Sequence, residues 1–89
     1  MITKEIQLSN IRGLHARAAS SFVKVSSQFS SDIIIEKDGQ TVDGKSILGL
    51  MGIAADYQSW ITIHVDGEDK EQAMKSLLEL ITNRFGEEE

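Results

Sequence analysis

Residues 32–44, DIIIEKDGQTVDG, decide how this chain folds. A β-rich run of isoleucines reaches Asp38-Gly39, a strong hairpin turn signal, and the chain then returns through Thr41 and Val42. Two strands joined this closely must pair antiparallel, so the sheet they found is antiparallel or mixed. Residues 59–65, SWITIHV, extend it. Ile61, Ile63 and Val65 share one strand face while Trp60, Thr62 and His64 share the other, so one side of the sheet is apolar and the other meets water. Ile2 through Leu8 reads as an opening strand, with Ile2, Ile6 and Leu8 in phase and Lys4 interrupting.

Three helices supply the cover. From Ala16 to about Phe29, the set Ala16, Ala19, Phe22, Val23 and Phe29 recurs at helical spacing, with Ser20, Ser21, Lys24, Ser27 and Gln28 largely opposite. Ser46 is placed to cap a second helix that is almost continuously apolar from Ile47 through Ala55 and includes Gly49 and Gly52. Such a helix packs on one side and exposes apolar surface on the other. The last helix begins near Glu68, where Glu68, Asp69 and Glu71 favour the positive end of the dipole. Ala73, Met74, Leu77, Leu78, Ile81 and Phe85 form its stripe, and GEEE reads as a frayed, solvated tail. The order is strand, helix, strand, strand, helix, strand, helix: an α+β chain in which a two-layer sandwich buries each stripe once.

Length and charge bound the function. Eighty-nine residues make one domain, 1–89, with a single core and no room for a second catalytic unit. With 14 acidic and 9 basic residues the net charge is -5, which argues against a small nucleic-acid binder or an anionic-membrane surface. Cysteine is absent, so neither disulfides nor thiolate metal sites arise, in keeping with a reducing compartment. The opening MITKEIQL does not read as a signal peptide, and no run approaches the roughly 20 apolar residues of a membrane span. A cytoplasmic chain without membrane insertion is expected.

The chemistry concentrates in residues 10–25, NIRGLHARAASSFVKV. His15 falls just before or at the first helical turn, where backbone amides lack intrahelical acceptors and the dipole is positive. Gly13 permits a tight, positive-φ approach, and Arg17 brings a charge-assisted fork to phosphate oxygens. The positive helix end disfavours imidazolium, and a neutral imidazole nitrogen is a competent nucleophile. The arrangement suits phosphorylation on histidine. A capping or solvent-exposed histidine fits the same spacing. His64 lies on the polar strand face and reads as a surface residue. No metal constellation accompanies either histidine, and no cofactor is expected.

NIRGLHARAASSFV resembles the phosphohistidine signature of the HPr family, the small phosphocarriers of the bacterial phosphoenolpyruvate-dependent phosphotransferase system. GKSILGLMG resembles that family's second signature, around a regulatory serine, and the likeness covers nearly the whole chain. The resemblance implies an HPr-like open-faced β-sandwich in βαββαβα order, with a four-stranded antiparallel sheet covered on one face by three helices. It implies that His15 is phosphorylated at Nδ1 by phospho-Enzyme I, steadied by Arg17. The phosphoryl group then passes to Enzyme II A or a related regulatory acceptor, in sugar uptake or regulation. It further implies Ser46 as a target of HPr kinase/phosphorylase, and Ile47, Leu48 and Met51 as a partner-docking patch, whereas helical spacing alone reads Leu50 and Ile53 as core and leaves core as the other reading of each of those three. Transient use of successive partners implies a monomeric carrier rather than a stand-alone enzyme. Arg12 remains either a docking residue or a solvated surface arginine, and Ser46 either a regulatory site or an ordinary cap.

Two segments depart from the family pattern. Ala18 stands where proline usually follows the active-site arginine, restoring an amide donor and some freedom to the helix start. Ala54 and Gln58 replace glycines common just before the strand at 59–65, and a non-glycine residue at positive φ bears a local cost. Tyr57 and Trp60 either pack that edge or make a contact of their own. A non-catalytic regulatory binding module using the surface around Ser46 is the alternative from another class, against which a retained His15 weighs.

Overall fold

The computed structural model describes residues 1–53 and 55–87. Its described elements are β1 (Ile2–Gln7), α1 (Ala16–Ser26), β2 (Asp32–Lys37), β3 (Gln40–Asp43), α2 (Ile47–Gly52), β4 (Trp60–Asp66) and α3 (Lys70–Thr82), followed by a short 3₁₀ turn, Arg84–Gly86. The hairpin expected at residues 32–44 is present. Asp38 and Gly39 both take positive φ, 52° and 81°, the pair of left-handed residues that a two-residue turn needs to match the strand twist. Lys37 consequently faces Gln40 across the turn.

The sheet runs in the order β1-β4-β2-β3, with every neighbouring pair antiparallel. β4 sits between β1 and β2, setting Ile61 opposite Ile6 and Ile63 opposite Ile35. The alternation read from the sequence puts Ile33, Ile35, Ile61, Ile63 and Val65 in one buried layer, with Phe22, Leu50, Leu77 and Ile81 of the helices packed into the same cluster. Each such side chain, fully withdrawn from water, is worth about 1.5–3 kcal/mol, which fixes the strand register because a one-residue slip would expose them all. Trp60 and Ile34 remain exposed.

Element ends differ from the periodicity in instructive ways. Leu8 is buried but follows β1. α1 stops at Ser26, short of Phe29; the buried Ser26 hydroxyl donates to the Gly44 carbonyl at 2.8 Å, and Phe29 packs against the core from the following turn. Its buried arc is Ala18, Ala19, Phe22 and Ser26, leaving Ala16 exposed. α2 ends at Gly52 rather than reaching Ala55, whose carbonyl instead accepts the Leu14 amide at 2.8 Å; Ala54 lies outside the described residues. α3 begins at Lys70, and the Asp69 carboxylate before it makes no cap bond but accepts from the Ser30 and Ser31 amides at 2.9 and 3.0 Å.

The largest departure is at the C-terminal end. Phe85 is buried, as its place in the stripe predicts, but it follows α3 in the 3₁₀ turn. Arg84 and Phe85 take φ of 56° and 57°, reversing the chain toward the start of α1. Glu87 is therefore not solvated tail: it is half-buried and hydrogen-bonded to Asn10 and His15. Residues 88 and 89 lie outside the described residues.

Candidate functional site

The site is built on irregular backbone between β1 and α1. Leu8 donates to the Ser59 carbonyl at 2.9 Å and accepts from the Gln58 amide at 3.0 Å, extending the β1–β4 contact into the loops. Gly13 then passes close to the loop before β4. Its φ is +61°, and a Cβ there would come within 2.2 Å of the Ala55 carbonyl oxygen, so conformation and space both require glycine. Asn10, fully buried, braces the turn: its side-chain amide donates to the Gly13 carbonyl at 2.8 Å and to Glu87 Oε1 at 2.8 Å.

His15 emerges from this turn as the N-cap of α1, with φ −73° and ψ 177°. Its carbonyl takes the first helical bond, from the Ala19 amide at 2.8 Å, so the amides of Ala16, Arg17 and Ala18 precede the regular ladder. The Arg17 amide donates instead to His15 Nδ1 at 3.3 Å, a side-chain cap made by imidazole in place of the usual hydroxyl or carboxylate. On the opposite side of the ring, Nε2 meets Glu87 Oε2 at 2.5 Å. The His15 side chain is 23% exposed and that of Glu87 13%. Burial by itself would raise the Glu87 carboxyl, but hydrogen bonds from Asn10 and His15, and the charges of His15 and Arg17, together hold it below the ordinary carboxylate range.

The structure brings Gly13, His15 and the Arg17 amide together, as their spacing predicts, and adds Asn10 and Glu87, which the sequence reading did not single out. Arg17 and Arg12 are both exposed, and Arg17 is near enough to act on Glu87 through its charge. Ser46 caps α2 as expected, its Oγ accepting the Gly49 amide at 3.0 Å. Of the short helix's apolar residues, Leu50 and Ile53 enter the core, whereas Ile47, Leu48 and Met51 are 39%, 82% and 42% exposed. α2 packs beside α1, which places the apolar patch and the histidine on neighbouring helices. Gln58 does take positive φ, 67°, while Tyr57 and Trp60 stand exposed. Among the described residues no three His, Asp or Glu side chains converge on a metal-sized space, and no helix is long and apolar enough to cross a membrane.

An antiparallel open sheet carrying three helices, with a histidine capping the first and an arginine two residues on, defines a small domain that offers an imidazole to anionic groups. The chain belongs to the HPr family: the family model for the phosphotransferase-system HPr component phosphorylation site matches residues 2–83. It is 42% identical over 89 residues to the phosphocarrier protein HPr of Cupriavidus necator, covering all of both chains. Among solved structures it is similar to HPr-C-His from Thermoanaerobacter tengcongensis, with a TM-score of 0.96, 42% identity and full coverage of both chains. A structure described as an HPr dimer from the same organism matches with a TM-score of 0.79 at 43% identity, covering 92% of this chain and 94% of the other.

Proposed function

We propose that this chain is a phosphocarrier of the phosphoenolpyruvate-dependent phosphotransferase system, with His15 as the residue that carries the phosphoryl group. The observation that supports this most directly is the place of the imidazole: Nδ1 sits at the opening of α1, within reach of a backbone amide that can pass from nitrogen to a phosphoryl oxygen. In transfer from phospho-Enzyme I, the Nδ1 lone pair forms the new P–N bond. The bond to the donor nitrogen breaks, and its electron pair returns to the donor ring. Helix-start amides and the Arg17 guanidinium then face the phosphoryl oxygens. The reverse displacement delivers the group to Enzyme II A or a related regulatory acceptor. The phosphoramidate suits a relay because it keeps the group transferable in both directions.

The carrier is no stand-alone enzyme in this reading. It acts as a single domain of residues 1–89, monomeric and cytoplasmic, and needs no cofactor. Ile47, Leu48 and Met51 provide the docking patch, used by successive partners, and their exposure on the helix packed beside α1 supports that assignment. Ser46, half-buried at the cap of α2, is the regulatory site for an HPr kinase/phosphorylase. A phosphate there adds about −1.5 to −2 charges beside the patch and opposes docking of an acidic or phosphorylated partner.

Phosphorus NMR of the chain incubated with phosphoenolpyruvate and Enzyme I tests the assignment, with His15→Ala as the control. An acid-labile phosphohistidine signal that disappears in a folded H15A chain is expected. Labelling that persists in H15A removes His15. Absence of any signal, with an Enzyme I that labels another HPr, moves the chain to a non-catalytic binding module centred on Ser46.

A further inference from the structure

The two ring nitrogens of His15 have partners with opposite demands, and both demands select one tautomer. At Nδ1 the partner is the Arg17 N–H, a group that only donates, so Nδ1 must offer a lone pair. At Nε2 the partner is the Glu87 carboxylate, which as an anion only accepts, so Nε2 must carry the proton. Glu87 is itself held from the other side, because Asn10 Nδ2 donates to Oε1 while also donating to the Gly13 carbonyl. The chain reversal at Arg84 and Phe85 delivers the carboxylate to this position.

We infer that Glu87 is a positioning residue for phosphoryl transfer: it holds the proton on Nε2 of His15 and so keeps Nδ1 as the nucleophile. This rests on the carrier function proposed for His15. When Nδ1 attacks phosphorus, the ring becomes a phosphoryl-imidazolium whose Nε2–H remains against Glu87, and the carboxylate offsets the positive charge that appears. On onward transfer the P–N bond breaks, its pair returns to Nδ1, and the ring is neutral again with the same Nε2 proton. No proton need enter or leave during the cycle. The same carboxylate therefore assists both acceptance and delivery, as a carrier working close to equilibrium requires.

Glu87→Gln discriminates this role from mere packing, since it keeps the shape. Asn10 still presents an N–H, so the glutamine oxygen turns toward Asn10 and its NH₂ toward His15 Nε2, which must then accept. Long-range ¹H–¹⁵N spectra of the unphosphorylated chain should show His15 as the Nε2–H tautomer in the parent and a displaced population toward Nδ1–H in E87Q. Transfer from phospho-Enzyme I should slow about ten-fold, the lower end for loss of a partner that orients a functional histidine. Glu87→Ala, which removes the carboxylate's bias and leaves that of the Arg17 amide, should fall between the two. Parent-like tautomer populations in E87Q overturn the inference, as does an unchanged transfer rate once the tautomer has shifted. If the parent chain itself takes no phosphoryl group, the carrier function fails and the transfer role of Glu87 with it, while the tautomer spectra still report whether Glu87 sets the proton.

Discussion

His15 and His64 have nearly the same immediate surroundings. Each side chain is 23% exposed. Each Nε2 meets a carboxylate, Glu87 at 2.5 Å and Glu36 at 2.8 Å. Each Nδ1 has a hydrogen-bond partner, the Arg17 amide at 3.3 Å and the Thr3 hydroxyl at 3.0 Å. The difference lies one step further out. His64 stands within β4, paired with Thr3 on one side and Ile34 on the other, on a regular strand ladder. His15 caps a helix, beside amides that precede the helical ladder and two residues before an exposed arginine whose charge reaches Glu87. A carboxylate-paired histidine is therefore not by itself a phosphoryl site; in the proposed function, the helix start around His15 is what sets the two apart.

The largest expected effect separates the pair outright. His15→Ala should lose all phosphoenolpyruvate-dependent labelling, and His64→Ala should retain it at the parent rate, both chains remaining folded by amide NMR. A folded H64A chain that fails to label breaks the comparison. Arg17→Ala sharpens it, because it removes a feature His64 lacks while leaving the backbone amides in place. Single-turnover transfer should slow on the order of a hundred-fold, as loss of a donor to developing charge does. A rate equal to the parent's would assign the anion-binding role to the amides alone.

A smaller effect concerns how distant segments are tied to the sheet. The carboxyl of Asp69 is lowered from 3.8 to about 2, chiefly by the Ser31 hydroxyl and then by the Ser30 amide, against the opposing effect of desolvation. A carboxyl depressed in the folded state adds stability above its unfolded value, and that contribution disappears as pH falls through the folded one. Between about pH 4 and pH 2 the parent should therefore lose thermal stability more steeply than Asp69→Asn. Coincident pH profiles would show that these bonds merely replace bonds to water. Glu87 is depressed in the same sense, so acid should also release the C-terminal end from His15.

What the sequence displays is whatever repeats or caps. Ile33 with Ile35, and Ile61 with Ile63 and Val65, reveal their faces through a period of two, and the short span from Asp38 to Gly39 specifies a turn locally. Gly13, His15 and Arg17 lie close enough along the chain for their joint chemistry to be read from spacing. Glu87 bonds to His15 across 72 residues and to Asn10 across 77, distances over which no local pattern operates. Its place depends on left-handed backbone at Arg84 and Phe85, where the helical stripe predicted continuation. Asp69 was read as a favourable charge in the first turn of α3, yet its bonds cross 38 and 39 residues to the loop before β2. Periodicity found the layers, whereas tertiary hydrogen bonds finished the site.

The smallest prediction distinguishes strain from function in the loop that supports His15. Gln58 holds φ of 67°, a conformation that costs a residue with a side chain roughly 1 kcal/mol or more. Its side chain is exposed, and the bonds that fix the loop are made by its backbone: the amide to Leu8 at 3.0 Å and the carbonyl from the Gln7 side chain at 3.0 Å. Gln58→Gly keeps those bonds and relieves the steric cost, but it loosens the unfolded chain by roughly 0.5–1 kcal/mol. The balance should be a gain of about 0.5 kcal/mol, read as a higher urea midpoint at an unchanged slope. A lower midpoint would mean that the glutamine side chain contributes contacts that outweigh its backbone cost. If the midpoint rises and transfer from phospho-Enzyme I stays at the parent rate, the strain at Gln58 is incidental to the site. If the midpoint rises while transfer slows, the loop's left-handed turn must be held rigid by a side chain to keep Leu8, Gly13 and the His15 cap in register. The regular ladder around His64 makes no such demand.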